Sequence, residues 1–212
     1  MPEFKPRLDV LAEAQRKTWA ALNPTSELGF VLYGGTAIAL RLGHRHSEDF
    51  DFFSKMVVAK DSIYEALPFL SAGQVLQDVR NTLTVIDPQG VKLSFFRNVR
   101  FGRIGEPETA SGTAVKVASL VDLFGTKLAT LLQRVEARDY QDIIAILKSG
   151  LSLQEGLGAA RAIYGSQFQP AEALKALTWF EEGDLSSIDR DARAFLRRQA
   201  EAVTSIPPMQ ST

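Results

Sequence analysis

The stretch from Phe30 to Phe53 constrains the fold more than any other part of the chain. It reads FVLYGGTAIALRLGHRHSEDFDFF and predicts a short apolar strand, a Gly34-Gly35 turn, a helix, a basic turn and a second strand. The second strand carries Asp49 and Asp51. Because successive strand residues face opposite sides of a sheet, both carboxylates are expected on one face, while the phenylalanines beside them enter the core. The pattern predicts an α/β fold.

Two acids on one strand face and a glycine turn suggest a specific chemistry. The carboxylates of Asp49 and Asp51 repel each other when side by side, and a hard, oxygen-seeking cation such as magnesium stabilises both as anions. The Gly34-Gly35 turn lets backbone N–H groups approach a ligand, and Thr36 opens a helix whose N-terminal dipole favours phosphate. A metal site beside a phosphate-binding turn predicts nucleotide chemistry.

Three segments of the chain together resemble a known family. They are Gly34-Gly35-Thr36 followed by Gly43-His44-Arg45, Ser47 and Asp49-Phe50-Asp51-Phe52-Phe53; then Val117–Leu123 with Lys127-Leu128-Ala129; and last Arg138–Ile143. In this order and spacing they resemble the AbiEii-type nucleotidyltransferases, which are toxins of type IV toxin–antitoxin systems within the DNA polymerase β-like nucleotidyltransferase superfamily. The resemblance covers about the first 150 residues.

The resemblance implies a nucleotidyltransferase fold, with a small mixed β-sheet flanked by helices and a helical C-terminal cap. It implies transfer of a nucleotide from a nucleoside triphosphate to an acceptor, RNA such as tRNA, and silencing by an antitoxin protein encoded nearby. The implied cofactor is magnesium or manganese. The implied roles are metal binding by Asp49 and Asp51, catalysis by Asp49, Asp51, Lys127 and Asp139, and nucleotide binding by Gly34, Gly35, Thr36, Arg45, Ser47 and Lys127.

The strand Val91–Phe96 departs from the superfamily pattern. A third carboxylate is expected there as general base and second-metal ligand, but the position is Ser94, which carries no charge and takes a proton poorly. Three explanations stay open. Another acid replaces it, with Glu48, Asp87 and Asp78 as candidates; one metal suffices; or the protein binds nucleotide without turning it over as a relic of the family. A small-molecule nucleotidyltransferase is a further alternative.

Several of these residues also have purely structural interpretations. Lys127 borders the apolar stripe of its helix, so it can be a lysine whose stem lies on apolar surface while its ammonium reaches water. Asp139 and Asp142 lie in the first turns of a helix, where acids act as caps. The basic turn around Arg45 is expected to face phosphate. Arg97, Arg100 and Arg103 suit either an RNA-backbone contact or a solvated sheet edge.

Composition narrows the class of protein. The chain has 212 residues, 45% hydrophobic and 23% charged, with a net charge of −1 and no cysteine. These values are typical of a globular protein without disulfides, and they do not favour generic nucleic-acid binding through overall basic charge. The sequence has no continuous apolar run of the length of a signal peptide or membrane anchor, so no membrane association is expected. We therefore expect a cytoplasmic protein.

Periodicity and capping residues predict the remaining elements. We expect a nucleotidyltransferase-like domain over residues 1–150, a helical C-terminal extension over 151–206 and a flexible tail over 207–212. Asp87-Pro88-Gln89-Gly90 predicts a tight hairpin, and Ser119 with Asp122 predicts a helix start. Predicted helices lie near residues 7–22, 36–42, 61–70, 120–134, 138–147, 153–164, 170–177 and 189–204, and predicted strands near 30–33, 49–53, 75–79, 83–86, 91–95 and 114–118.

Overall fold

The computed structural model describes residues 2–100 and 102–212, which form two compact units. The first unit contains the described residues up to Arg100 together with residues 106–118, and the second contains residues 102–105 and 119–212. The predicted domain 1–150 includes Met1 and Phe101, which lie outside the described residues. In the structure the helical residues 119–150 group with the later helices, while the predicted division near residue 150 stays a prediction.

The first unit holds every strand of the described chain and three α-helices. The helices are α1 (Glu13–Ala20), α2 (Gly34–Leu42) and α3 (Lys60–Ala66). The strands are β1 (Glu3–Phe4), β2 (Val31–Tyr33), β3 (Phe50–Phe53), β4 (Gln74–Val79), β5 (Thr82–Ile86), β6 (Lys92–Phe96), β7 (Glu108–Ala110) and β8 (Lys116–Val117). Short 3-10 helices at Leu8–Val10, Asn23–Ser26 and Pro68–Ala72 connect them.

The eight strands form one mixed sheet in the order β1-β7-β8-β2-β3-β6-β5-β4. The pairs β1 with β7, β2 with β8 and β3 with β6 are parallel, and the other neighbours are antiparallel. The strands β2 and β3 lie near the middle of the sheet, each with a hydrogen-bonded neighbour on both sides, so the glycine turn after β2 and Asp51 of β3 are held firmly. The mixed α/β class predicted from the sequence is confirmed.

Aromatic packing fixes the face of β3 that enters the core. Phe50 and Phe52 are fully buried, whereas Asp51 and Phe53 are only partly buried, as the predicted alternation requires. Phe52 stacks on Phe95 of β6 with ring centroids 5.6 Å apart, and Phe50 stacks on Trp19 of α1 at 5.9 Å. A one-residue slip of β3 would bury both acids and expose these rings, so the register is strongly specified.

The second unit is helical. Its helices are α4 (Leu120–Thr130), α5 (Ala137–Lys148), α6 (Leu153–Tyr164), α7 (Pro170–Thr178) and α8 (Arg190–Glu201), with 3-10 helices at Gly165–Gln167 and Leu185–Ser187. Ser119 caps α4 by accepting a hydrogen bond from the backbone N–H of Asp122, which confirms the predicted helix start. Helices α4 and α6 pack closely, since a Cβ on Gly125 would lie 2.8 Å from the backbone nitrogen of Ala160.

The differences from the predicted elements have local causes. The predicted helix 7–22 is interrupted, because Leu11 and Ala12 are extended and separate the 3-10 helix Leu8–Val10 from α1. The predicted β5–β6 hairpin is confirmed, with Gly90 N–H donating to the carbonyl of Asp87 at 2.9 Å. Strands β1 and β7 have no counterpart in the prediction, because two or three residues carry no periodicity.

The chain end and the helix lengths bear on two further predictions. Thr212 N–H donates to the carbonyl of Arg103 at 2.9 Å, so the chain end contacts another segment of the second unit. The predicted flexibility of residues 207–212 stays a prediction.

Throughout residues 2–100 and 102–212, every helix is too short or too polar to span a bilayer.

Candidate active site

Gly34 lets the N-terminus of α2 approach the acid on β3. Its φ is +76°, a left-handed conformation that favours glycine, and a Cβ there would lie 2.8 Å from Oδ2 of Asp51. A Cβ on Gly35 would collide with the guanidinium of Arg45 and lie 3.1 Å from Oγ of Ser47. The glycine pair therefore places the positive end of the helix dipole beside the Asp51 carboxylate and the Arg45–Ser47 turn.

Thr36 ties the start of α2 to the start of β3. Its side chain is buried, and its hydroxyl donates to the backbone carbonyl of Asp49 and lies 2.9 Å from the hydroxyl of Ser47. Gln15 of α1 donates to the carbonyl of Ser47 at 2.7 Å. These bonds hold the segment 47–49 from two helices, so Thr36 contacts the protein backbone in this structure.

Asp49 and Asp51 are both partly exposed, in contrast to Phe50 and Phe52, which are buried. Oδ2 of Asp49 lies 2.6 Å from the ammonium of Lys92 on β6, with side chains 32% and 39% exposed. The parallel pairing of β3 and β6 sets Asp51 directly opposite Ser94. A lysine thus already compensates the charge of Asp49, and sequence analysis did not single it out.

A second cluster of charged residues lies in the second unit, on α4 and α5. The ammonium of Lys127 is 2.9 Å from Oδ1 of Asp139 and 2.9 Å from Oδ2 of Asp142, and all three side chains are at most 6% exposed. Arg134 donates to both oxygens of Asp139 at 2.9 and 3.0 Å. Lys127 is therefore held between acids inside the protein, and its ammonium does not reach water as the structural interpretation of the sequence required.

The cluster of Lys127, Arg134, Asp139 and Asp142 has two positive and two negative charges. Burial alone would raise the pKa of Asp139, but the hydrogen bonds from Arg134 and the charge of Lys127 outweigh it and hold that pKa below its ordinary value. Asp139 is therefore anionic at neutral pH. The geometry agrees with the expectation that this acid orients a lysine, while its role in catalysis stays a prediction.

Comparison with known proteins decides the family. The model of the family described as nucleotidyl transferase AbiEii toxin, type IV TA system, matches residues 19–210. The chain belongs to the AbiEii nucleotidyltransferase toxin family. This confirms the resemblance seen in the sequence and extends it beyond residue 150 to residue 210.

Individual relatives of this AbiEii family member are distant. An uncharacterized protein of Aquifex aeolicus (strain VF5) is 31% identical over 156 residues, which cover 72% of this chain and 74% of that protein. The solved structure of MenT4, a nucleotidyltransferase toxin of Mycobacterium tuberculosis H37Rv, is 17% identical, covers 89% of this chain and 90% of its own, and has a TM-score of 0.47. The antibiotic-resistance factor ANT(2'')-Ia is 16% identical, with coverage of 68% and 85% and a TM-score of 0.48.

The three acids considered as a substitute for the missing carboxylate at Ser94 of this AbiEii protein differ in their partners and in their distance from Asp49 and Asp51. Asp87 accepts hydrogen bonds from Thr18 and from two backbone N–H groups of its own turn, so both of its oxygens are occupied. Asp78 lies on β4 and pairs with Lys60. Strand β4 is three strands away from β3 in the sheet, which is roughly 14 Å at ordinary strand spacing. Glu48 is exposed directly before Asp49. Of the three, only Glu48 adjoins the carboxylate pair.

Arg41 of α2 and Arg97, the latter considered for RNA contact, both bind within the AbiEii protein itself. Arg41 binds Glu108 at 2.9 Å and the backbone carbonyls of Val117 and Ala118. Arg97 is buried, and it donates to carbonyls of the 58 and 79–80 segments. Arg45 stays beside the α2 N-terminus, where its guanidinium donates to the carbonyl of His46 at 2.8 Å. Among these three, only Arg45 adjoins the glycine turn.

The donor set of Asp49 and Asp51 fits a magnesium or manganese ion. Carboxylate oxygens suit hard divalent cations, and magnesium usually binds through one or two carboxylates and completes its shell with water and substrate phosphate. In the part of the chain that the structure describes, no group of three or more His, Cys, Asp or Glu side chains is placed to hold a metal. The residues present therefore suit an ion shared between the protein and a phosphate ligand.

Sequence reasoning missed residues whose role depends on pairing across the fold. Lys92, Arg134 and Gln15 make the ion pair and hydrogen bonds that hold the predicted site residues, and none lies inside a recognised motif. Asp122 was predicted only as a helix-cap residue, yet its carboxylate also accepts hydrogen bonds from the backbone N–H groups of Ile104 and Gly105 at 2.6 and 3.0 Å. The two-residue spacing of Lys92 and Ser94 on β6 was the available signal for Lys92.

Proposed function

We propose that this chain is an active, metal-dependent nucleotidyltransferase that transfers a nucleotide from a nucleoside triphosphate to RNA, with tRNA as the expected acceptor. The observation that carries the proposal is the pair Asp49 and Asp51, partly exposed and held against the glycine turn at the α2 N-terminus. A phosphate-binding helix end beside two hard oxygen ligands is the arrangement that nucleotide transfer needs.

In the proposed site, backbone N–H groups of Gly34 and Gly35 bind phosphate oxygens, and Ser47 and Arg45 bind the same anion from the adjoining turn. Thr36 acts through position, because its buried hydroxyl holds the carbonyl of Asp49. Asp49 and Asp51 hold the magnesium or manganese ion, which when bound neutralises charge on the triphosphate. Family resemblance assigns triphosphate neutralisation to Lys127 and its orientation to Asp139.

The proposed reaction is an in-line displacement at the α-phosphate. The acceptor hydroxyl oxygen forms a bond to the α-phosphorus, the bond from that phosphorus to the pyrophosphate oxygen breaks, and pyrophosphate leaves. The hydroxyl proton passes to a carboxylate or to water. Because Ser94 cannot take it, Glu48 is the proposed protein acceptor of the proton, being the exposed carboxylate beside the metal-binding pair.

Family membership also supports an antitoxin partner, as expected for a type IV toxin–antitoxin system. We place the reaction in the cytoplasm, where nucleoside triphosphates and tRNA occur. A second function has its own supporting observation. Ser94 opposite Asp51 and the Lys92–Asp49 ion pair together favour a protein that binds nucleotide without transferring it.

Purified protein incubated with each labelled nucleoside triphosphate, magnesium or manganese and total cellular RNA tests the proposal. Label in RNA that depends on the metal is the expected result. Label only in small hydroxylated acceptors would instead identify a small-molecule nucleotidyltransferase. Calorimetric binding of triphosphate with no transfer to any acceptor would overturn the enzymatic proposal in favour of the relic.

Ser94→Asp sharpens the test. The new carboxylate would stand opposite Asp51 and restore the third acid, so transfer is expected to rise about tenfold if the missing base limits the rate. The control is Ser94→Asn, which has similar size and no charge and should give no gain. An unchanged rate in Ser94→Asp, with metal-dependent transfer present in the parent, would contradict the account in which the absent acid limits the reaction.

A further inference from the structure

A cavity of about 470 Å³ lies within the second unit, and none of the four charged residues of the Lys127 cluster lines it. Its walls come from Leu131 and Leu132 at the end of α4, from one face of α7, and from the segment that follows α7. Leu131 lies one helical turn beyond Lys127. The volume falls in the range of small-ligand sites and is large enough for one nucleotide. We call it the Trp179 pocket.

Trp179 gives the pocket an aromatic platform. It follows directly after α7, lines the cavity and is 53% exposed, whereas Trp19, the other tryptophan, is 3% exposed. A large aromatic side chain left half in solvent beside a cavity has unburied ring surface that a flat ligand can cover. Base stacking on aromatic residues is a general means of nucleotide binding and tolerates different bases.

Three charged side chains also line the pocket. Glu172 and Lys175 lie about one turn apart on α7, and Glu182 comes three residues after Trp179 in the segment that follows the helix. Among the described residues, no ion pair involves any of the three. A ligand can therefore reach two carboxylate acceptors and one ammonium without first breaking an internal salt bridge.

Tyr140 lines the pocket from α5 but does not offer a free polar group. Its hydroxyl donates to the carbonyl of Ala176 at 2.8 Å, and burial, with the charges of Asp139 and Glu182, raises its pKa to about 12. The ring therefore forms part of the apolar wall and stays neutral. Recognition by hydrogen bonds and charge falls to Glu172, Lys175 and Glu182.

We propose that the Trp179 pocket binds a nucleotide whose base carries an exocyclic amino group. The base stacks on Trp179, a carboxylate of Glu172 or Glu182 accepts a hydrogen bond from the amino group, and Lys175 attracts the phosphate. A purely apolar ligand would leave all three charges without partners. A polycation would be repelled by Lys175, and free phosphate would leave the two carboxylates without a hydrogen-bond donor.

The inference rests on the proposed function in one respect, because it names a nucleotide site for that reaction. Two sources supply such a ligand: the incoming triphosphate and the terminal nucleotide of the acceptor RNA. Both present the same base edge. The experiment therefore compares mononucleotides first and then uses the triphosphate and a short RNA as separate arms.

Fluorescence of Trp179 in a Trp19→Phe variant measures ligand binding independently of catalytic activity. Trp19 stacks on Phe50 and its ring N–H has no hydrogen-bond partner in the described part of the chain, so phenylalanine replaces it without losing a hydrogen bond. Titration with CMP is expected to change the emission saturably, with UMP binding about tenfold more weakly. The bases of these two ligands differ at C4, which carries an amino group in CMP and a carbonyl in UMP, and at N3, which accepts a hydrogen bond in CMP and donates one in UMP. No saturable change with CMP, AMP or GMP would overturn the proposal, as would equal affinity for CMP and UMP.

Variants test the assigned contacts. Calorimetry of CMP with Trp179→Ala is expected to show about tenfold weaker binding, and Trp179→Phe is expected to retain most of the affinity. The double variant Glu172→Ala with Glu182→Ala should remove the preference for CMP over UMP, while Glu181→Gln, an exposed neighbour outside the pocket, should leave it unchanged. Near-ultraviolet circular dichroism checks that each variant is folded. Unchanged CMP binding in folded Trp179→Ala would refute the assignment of base stacking to Trp179.

The two ligand arms keep this inference separate from the proposed function. A Trp179 response to CTP with metal assigns the pocket to the incoming nucleotide, and a response to an oligonucleotide ending in cytidine assigns it to the acceptor. Transfer of label to RNA with no Trp179 response to any of these ligands would refute the pocket and leave the function standing. A CMP-specific response in a protein that transfers nothing would do the reverse.

Discussion

The two charged regions of this AbiEii protein differ in burial and in charge balance. In the first unit, Asp49 is 32% exposed and is opposed by one lysine, Lys92. In the second, Asp139 and Asp142 are fully buried and share Lys127, and Asp139 also pairs with Arg134, so that the four side chains carry no net charge. The carboxylates of the first region are partly exposed, so a cation from solution can compete for them, while the buried acids of the second are held by cations within the protein.

The difference teaches what each region contributes to stability and to binding. A partly exposed pair of carboxylates loses little hydration free energy on folding. Its oxygens remain accessible to solvent, so a ligand can replace the water bound to them. A buried network is retained only when its members are all present, since removal of one leaves an uncompensated charge in a poorly solvated place. Substitutions in the first region should therefore change activity with little effect on stability, whereas substitutions in the second should also lower stability.

The largest expected effect follows substitution of Asp51 by asparagine. The change keeps the size of the side chain and removes the anion, so metal-dependent transfer should fall by about 10³-fold while the protein stays folded. Labelled-nucleotide transfer and the thermal unfolding midpoint measure the two quantities. The matched control is Asp78→Asn. It changes an acid on β4 that pairs with Lys60, and it should leave transfer unchanged. Full activity in Asp51→Asn would remove this acid from the site.

Substitution of Lys127 by methionine tests the opposite side of the comparison. Asp139 and Asp142 would lose the cation between them, and the free energy of unfolding should fall by about 3 to 5 kcal/mol. Denaturant unfolding measures it. Lys17→Met removes an exposed partner of Glu13 and should change the same quantity by no more than about 0.5 kcal/mol. If the two variants were equally stable, the buried cluster would not be the structural network described above.

How far the sequence predicts these regions depends on the range of the interactions. The glycine turn, the alternation along Asp51 and Phe52 and the Ser119 cap follow from local rules, so their positions were predicted to within a residue or two. The partners of the acids follow from strand register and helix packing, which a single sequence does not fix. Lys92 meets Asp49 only because β6 lies parallel to β3, and Lys127 is buried only because α5 brings two acids to it.

The acid side of the stability curve gives a smaller test of the buried network. Asp139 has a pKa held below its ordinary value in the folded protein, so it stabilises the fold fully above the unfolded pKa, about 3.9. That contribution is lost as the pH falls from there through the folded pKa, because the unfolded chain takes up the proton first. Unfolding free energies of the parent and of Asp139→Asn, measured from pH 6 to pH 2.5, should converge at the acid end. A constant difference across this range would contradict the assigned shift.

The smallest expected effect follows substitution of Lys92, the ion-pair partner of Asp49 in the partly exposed first region, and concerns metal affinity. Neutralising its ammonium in Lys92→Gln leaves Asp49 without its cation, so a divalent metal meets less competition there. Since both side chains are about a third exposed, solvent screening limits the gain, and the affinity for magnesium or manganese should rise about threefold to fivefold. Calorimetric metal titration at low salt measures it, and added salt should shrink the difference. Lys60→Gln removes the α3 partner of Asp78 on β4, an ion pair of similar length and exposure, and should leave metal affinity unchanged. A weaker metal affinity in Lys92→Gln would mean that the lysine orients Asp49 for the ion instead of competing with it, and the first region would then be as pre-formed as the second.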